Sequence, residues 1–118
     1  YNISTMRHED LEVWKDGIKL VKDVYILTKS FPKEEIYALT SQMRRASISI
    51  PSNIAEGCAR QSDKELIQFL YVSLGSLAEL QTQLIIAKEL EYSNNDLNSY
   101  TNSIKKKLLG LIKYLKSK

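Results

Sequence analysis

The sequence predicts an all-α fold: a single domain over residues 1–118, built as an antiparallel up-down-up-down four-helix bundle whose second helix is kinked at Pro51. Three observations carry that prediction. Apolar residues recur at three- and four-residue spacing along most of the chain. Only two prolines and four glycines interrupt it, and no stretch alternates as a strand would. The links between periodic segments are short, which sets successive helices antiparallel. At this length one core is enough, and it encloses about two thirds of the unfolded surface.

The first helix is expected over residues 10–28. Leu11, Trp14, Ile18, Val21 and Tyr25 form one stripe, and Val13, Gly17, Leu20, Val24 and Leu27 form a second beside it. It stops before Phe31-Pro32, because the residue preceding proline avoids the α region. The second helix is expected over 33–59, with Glu34 and Glu35 at the positive end of its dipole. Ile36, Leu39, Met43, Ala46, Ile50 and Ile54 share its core side, while Tyr37, Ile48 and Ala55 point another way, with Arg44 toward them. Pro51 inside it lacks a donor and presses on the Ser47 carbonyl, a penalty of about 3 kcal/mol in an ordinary helix interior. Small residues around it (Ala46, Ser47, Ser49, Ser52, Ala55, Gly57, Cys58, Ala59) admit a neighbouring backbone, so a kinked helix wedged among its neighbours is the natural reading.

Ser62 followed by Glu65 is a capping box that opens the third helix, expected over 62–90. Leu66, Leu70, Ser73, Leu77, Leu80 and Leu84 line one stripe, and Ile67, Tyr71, Leu74, Ala78 and Ile85 its neighbour. Ser93, Asn94, Asn95 and Asp96 supply a turn and cap for the fourth helix, expected over 94–116, with Leu97, Tyr100, Ile104, Leu108, Leu111 and Leu115 as its core stripe. The paired stripes span roughly 200° where one packing surface needs about 100°. That surplus points to self-association, the alternative being a monomer with unusually bulky helix contacts.

The net charge of +3 conceals an asymmetry. Residues 1–96 carry −3, whereas residues 97–118 carry six lysines and no acid. Of these, Lys105, Lys106, Lys113 and Lys116 fall within a polar arc of about 100°, while Lys107 and Lys118 project elsewhere. Lysine is a flexible point charge suited to following a phosphate backbone, and the same pattern also suits a solvated helix face. On the second helix, Gln42, Arg45, Ser49, Ser52, Glu56 and Arg60 form a polar stripe in which Glu56 and Arg60, four residues apart, are placed for an intrahelical ion pair. That stripe reads as a structural network. Arg44 faces the second apolar side, as a subunit-interface residue stacking on Tyr37 or on a neighbour's aromatic ring.

The search for an enzyme finds no catalytic residues. The single histidine, His8, sits near the N-terminus, so the bundle has no histidine base. There is no Glu-x-x-His pair, no zinc spacing and no phosphate-cradling glycine loop, Gly75 standing alone before Ser76. Glu56, Glu65 and Glu79 read as solvated or ion-paired acids. No cofactor and no metal are expected. The single Cys58 excludes an internal disulfide and reads as packing. No uninterrupted apolar run approaches the 18 or so residues of a spanning helix, and no secretory signal pattern opens the chain, so no membrane contact and a cytoplasmic location are expected.

Several ordered blocks resemble the large-subunit ribosomal RNA intervening-sequence proteins, also called four helix bundle proteins. The blocks are Asp10-Leu11-Glu12-Val13-Trp14, Phe31-Pro32-Lys33 with Glu35, Ser41 to Ala46, Ser49-Ile50-Pro51 with Asn53-Ile54-Ala55-Glu56-Gly57 and Arg60, and Gly75-Ser76-Leu77 with Glu79-Leu80. The resemblance covers about residues 10–92, and the fourth helix carries no block of it. It implies a left-handed bundle that assembles into a ring-like homopentamer, in a bacterial setting where such genes often lie within rRNA genes. A similar fold serves as the accessory variability determinant of diversity-generating retroelements, which partners a reverse transcriptase and binds nucleic acid.

Two functional expectations result. The first is a non-enzymatic homo-oligomer that binds RNA or DNA phosphates through Lys105, Lys106, Lys113 and Lys116, with Tyr37, Arg44, Ile48 and Ala55 at the subunit interface and Arg45, Pro51, Asn53, Glu56, Gly57 and Arg60 as its structural motif. The second is an interaction scaffold or accessory subunit for a partner protein such as a reverse transcriptase, with little direct nucleic-acid binding.

Overall fold

Pro51 lies buried inside a helix of 20 residues, and the way its neighbours receive it organises the chain. A Cβ added to Gly17 would sit 3.2 Å from the Pro51 Cβ and 3.4 Å from its Cδ, so the first helix meets the proline ring at the one residue without a side chain. From the other side the buried Ser73 hydroxyl donates to the Ile50 carbonyl at 2.9 Å. The proline is thus packed closely against the first helix, and the serine bond holds the residue before it.

The computed structural model describes residues 7–94 and 96–118. Among these every regular element is helical: a 3-10 turn at His8–Asp10, α1 at Glu12–Thr28, a 3-10 turn at Lys33–Glu35, α2 at Leu39–Cys58, α3 at Asp63–Glu89 and α4 at Asn98–Lys116. α1 packs on α2, α2 on α3, α3 on α4, and α4 back on α1, which closes the four helices around one core. Leu20, Val24, Met43, Ile50, Ile54, Leu66, Leu70, Leu80, Ile104 and Leu108 are fully enclosed there. Each such side chain contributes about 1.5–3 kcal/mol by leaving water. Gly57 permits a close approach of α2 to α3, since a Cβ there would fall 2.8 Å from Leu66 Cδ1 and 2.9 Å from Phe69 Cβ.

The boundaries depart from the sequence expectation at three places. α1 starts at Glu12, because His8–Asp10 form a separate 3-10 turn and Leu11 is extended. The second helix does not begin at residue 33. Lys33–Glu35 form a 3-10 turn, and Ala38 at φ −125°, ψ −105° breaks the path before Leu39. Ile36 consequently leaves the core stripe and is exposed. α4 starts at Asn98, where the Asp96 carboxylate accepts from the Asn98 amide at 2.8 Å, and Asn95 of the expected turn lies outside the described residues.

The ends of α3 differ in quality. At its start the Ser62 hydroxyl accepts from the Glu65 amide at 3.2 Å, while the Glu65 carboxylate turns to the Ser62 hydroxyl at 3.1 Å. At its end the Tyr92 amide reaches the Ala87 carbonyl and the Glu91 amide the Lys88 carbonyl, the two bonds of a Schellman stop. Glu91 occupies the left-handed position of that stop, at φ 61°, where glycine or asparagine is usual. Tyr92 secures the turn: its hydroxyl donates to Glu35 at 2.7 Å and its ring meets Phe31 with centroids 5.4 Å apart.

The surplus of apolar surface is divided unequally. On α1 the second stripe is buried, and the first becomes the flank of the core, with only Ile18 and Ile26 exposed as large apolar residues of that helix. α3 keeps a true excess, leaving Tyr71, Val72, Ile85 and Ile86 exposed. By length and composition α3 could also cross a membrane, although its Leu66, Leu70, Leu77 and Leu80 are enclosed in the bundle.

Candidate nucleic-acid and assembly surfaces

The lysines of α4 are sorted by helix angle into paired and unpaired sets. Lys107 turns toward α1, where its ammonium meets Asp16 at 2.6 Å and Glu12 at 2.9 Å. Those two bonds raise its pKa and lower that of Glu12. Lys118 pairs with Asp63 at 2.9 Å. Lys105, Lys106 and Lys113 are exposed, and none has a carboxylate partner among the described residues. Lys116 donates to the Tyr71 hydroxyl at 2.8 Å and sits over its ring.

The structure keeps these four lysines on the outer side of α4 but does not gather them into one site. Lys105 borders a groove of about 180 Å³ between α3 and α4, floored by Leu74, Leu77, Ala78 and Leu109. Lys106 instead opens on a shallow depression beside Lys107, Ser99, Asn102 and Ser103.

On α2 the polar stripe is a structural network, but with different partners from those expected. Glu56 is exposed and forms no ion pair with Arg60 among the described residues. One helical turn separates them, yet Arg60 is drawn over the Phe69 ring, 4.7 Å from its centroid. Arg45 crosses to α3, bonding Glu79 at 2.7 Å while Gln42 accepts from its Nη2 at 2.8 Å. Asn53 donates to both the carbonyl and the hydroxyl of Ser49, and that hydroxyl shares a 2.8 Å bond with Ser76. Pro51 and Gly57 belong to the same motif as packing points, as described above.

Arg44 also finds a different partner. Its guanidinium lies over Tyr25 of α1, 4.5 Å from the ring centroid, and its Nε donates to the Thr28 hydroxyl at 2.9 Å. The expected stacking on Tyr37 does not occur: the guanidinium is taken up by Tyr25, and Tyr37, on the turn before α2, is 93% exposed. Arg44 joins two open lobes at the head of α1 and α2. One, of about 430 Å³, is lined by Tyr25, Tyr37 and Ile48. The other, of about 230 Å³, is lined by Thr28, Lys29 and Lys33. Ala55, two turns beyond Ile48, is half-buried and outside both. Sequence reasoning missed Thr28, Lys29 and Lys33 here. Their signal was available in part, since a threonine closing α1 often turns its hydroxyl back on the helix, as Thr28 does to Val24 at 2.8 Å.

Among the described residues no three His, Cys, Asp or Glu side chains come together as a metal would require. His8 packs edge-on against Trp14 with centroids 5.2 Å apart. Cys58 is buried, and that burial pushes its thiol pKa up, away from reactivity.

Residues 9–116 match the family model described as 23S rRNA-intervening sequence protein. The match extends the resemblance through α4, which the blocks alone did not reach. None of the curated proteins matches the chain.

Proposed function

The chain belongs to the 23S rRNA-intervening sequence protein family, and we propose that it acts there without catalysis, as a homo-oligomer that binds structured RNA or DNA through phosphates. The observation that carries this reading is that, among the described residues, Lys105, Lys106 and Lys113 on one exposed helix side have no carboxylate partner and Lys116 is held by a phenol. Four such contacts are weak at physiological salt in one chain, and repetition around a ring multiplies them. The reading takes the bundle as left-handed and up-down-up-down, kinked at Pro51, and the assembly as a homopentamer in the cytoplasm of a bacterium. Ile48 and Ala55 on α2 supply one side of the subunit contact, while Arg44, turned onto Tyr25 and Thr28 of its own chain, and Tyr37, on the turn before α2, stay outside it. A ring needs a second, different side, and the exposed face of α3 around Tyr71, Val72, Ile85 and Ile86 supports it.

Titrating binding to structured RNA and to duplex DNA over salt tests the reading. Log affinity for the duplex falls against log salt with a slope of about 0.9 per phosphate contacted. Replacing Lys105, Lys106, Lys113 and Lys116 with glutamine flattens that slope and weakens binding, whereas unchanged binding refutes the residue assignment. Light scattering at micromolar concentration gives a multiple of 13.5 kDa, and a mass of one chain refutes the assembly.

A scaffold reading, in which a partner such as a reverse transcriptase holds most of the nucleic acid, draws support from Lys107 and Lys118. Both are neutralised within the chain, which leaves α4 less basic than its sequence. Partners that survive nuclease treatment in a pull-down favour it.

A further inference from the structure

The two-lobed groove around Arg44 combines features that duplex recognition does not need. Phosphates alone require cations, whereas single strands also require an aromatic face on which a base can lie. Here the cations are Lys29, Lys33 and Arg44, and none has a carboxylate partner among the described residues. Among the described residues Arg44 donates only from its Nε, with its guanidinium over Tyr25, so the fork of its two Nη groups remains available for a phosphate. Tyr37 presents its ring almost wholly to solvent beside them. The nearby acids are mostly engaged: Glu35 accepts from Tyr92 and from the Leu39 amide, and Glu79 holds Arg45. Glu34 alone stays exposed on the same turn.

We propose that this groove binds a short single-stranded segment of RNA or DNA, with a base stacked on Tyr37 and the adjoining phosphates on Lys29, Lys33 and the Nη groups of Arg44. The two lobes meet at Arg44, so base and backbone are served by one continuous surface. An open groove suits a strand passing across it better than a free nucleotide, since pockets for small molecules bury most of their ligand. The assignment rests on the nucleic-acid reading above but concerns residues between α1 and α2 and Arg44 on α2, away from the lysines of α4.

Fluorescence anisotropy on the full chain, with a labelled oligouridylate and a duplex of equal length, tests it. Tyr37→Ala weakens the single strand about fivefold or more and leaves the duplex unchanged, while Tyr37→Trp restores single-strand binding. The double variant Lys29→Gln, Lys33→Gln lowers the single-strand salt slope by about 0.7 for each lost phosphate contact. Tyr37 is so exposed that its replacement does not threaten folding. Unchanged single-strand affinity in both variants overturns the groove assignment, and it leaves the wider reading standing if the α4 quadruple variant loses the duplex. A wild-type chain that binds neither probe overturns both. A fall in assembly mass for Tyr37→Ala makes Tyr37 a subunit contact and overturns the groove, as does adenosine monophosphate binding more tightly than the oligonucleotide.

Discussion

The seam between α2 and α3 and the outer face of α3 are both built around a glycine, and the two glycines answer different needs. At the seam, Gly57 has Leu66 Cδ1 and Phe69 Cβ waiting 2.8 and 2.9 Å from where a Cβ would stand. On the outer face, among the described residues, Gly75 has no atom beyond its own stretch of helix within 4 Å of that point. The chain itself explains the first glycine, which lets two helices touch. It offers no reason for the second, which costs about 1 kcal/mol relative to alanine in a helix interior. Around Gly75 lie Tyr71 and Val72, roughly half exposed, so the unexplained glycine sits on the face with the surplus of apolar surface. That coincidence is what an outside contact on α3 would account for.

Gly57→Ala tests the first half of the contrast and has the largest expected effect. Leu66 Cδ1 ends a flexible side chain and can swing aside, but Phe69 Cβ is fixed to the backbone of α3, so the helices must separate. Overpacking of this kind costs about 1–3 kcal/mol, against which alanine recovers about 1 kcal/mol of helix propensity. A net loss in urea-unfolding free energy is expected, and a neutral or stabilised variant means the seam is looser than its geometry.

Gly75→Ala tests the second half. Among the described residues the added methyl meets nothing beyond its own stretch of helix, so stability rises by about 1 kcal/mol. If a second copy closes on this face, the same methyl intrudes on the contact, and the assembly dissociates at a higher protein concentration. Thermal unfolding and light scattering across a dilution series separate the two effects. Higher stability with unchanged assembly removes α3 from the subunit contact and leaves α2 to be explained alone.

The same contrast explains what could be read from residues alone. Contacts made by a whole periodic stripe were legible: Leu66, Leu70, Leu77 and Leu80 on α3, and Ile104, Leu108 and Leu115 on α4, are buried as their spacing requires. The partners of single long side chains were not. Helix angle set Lys107 apart from Lys106 but did not reveal its partners Glu12 and Asp16, whose position depends on how α1 lies against α4. Arg44 met Tyr25 and Arg60 met Phe69 for the same reason, since both partners belong to other helices. The start of α2 was hidden by the backbone of Ala38, a residue whose type favours helix while its φ and ψ do not. For the candidate site, the lysines of α4 were visible in advance, whereas Tyr37 was expected at a subunit interface, and the groove that Arg44 makes with Thr28, Lys29 and Lys33 depends on the crossing of two helices.

The smallest effect concerns the latch that ties the end of α3 to the turn before α2. The Tyr92 hydroxyl donates to Glu35, and that bond, which only the protonated phenol can make, raises the phenol's pKa above its ordinary value of 10.0. A group whose pKa is raised on folding contributes stability that is complete below the unfolded value and disappears as pH rises through the folded one. The latch is therefore at full strength at neutral pH and fails in alkali. Tyr92→Phe keeps the ring against Phe31 but removes the hydroxyl, so its difference from wild type in urea midpoint reports the bond alone. That difference should hold constant from neutral pH to about 10 and shrink toward zero above it. Other alkaline titrations, including that of Tyr100, whose burial raises its pKa, occur in both proteins and cancel. A difference that instead persists undiminished in alkali would mean that the phenol acts through packing, and that the seam near Glu35 is held by the Phe31 contact without help from the bond.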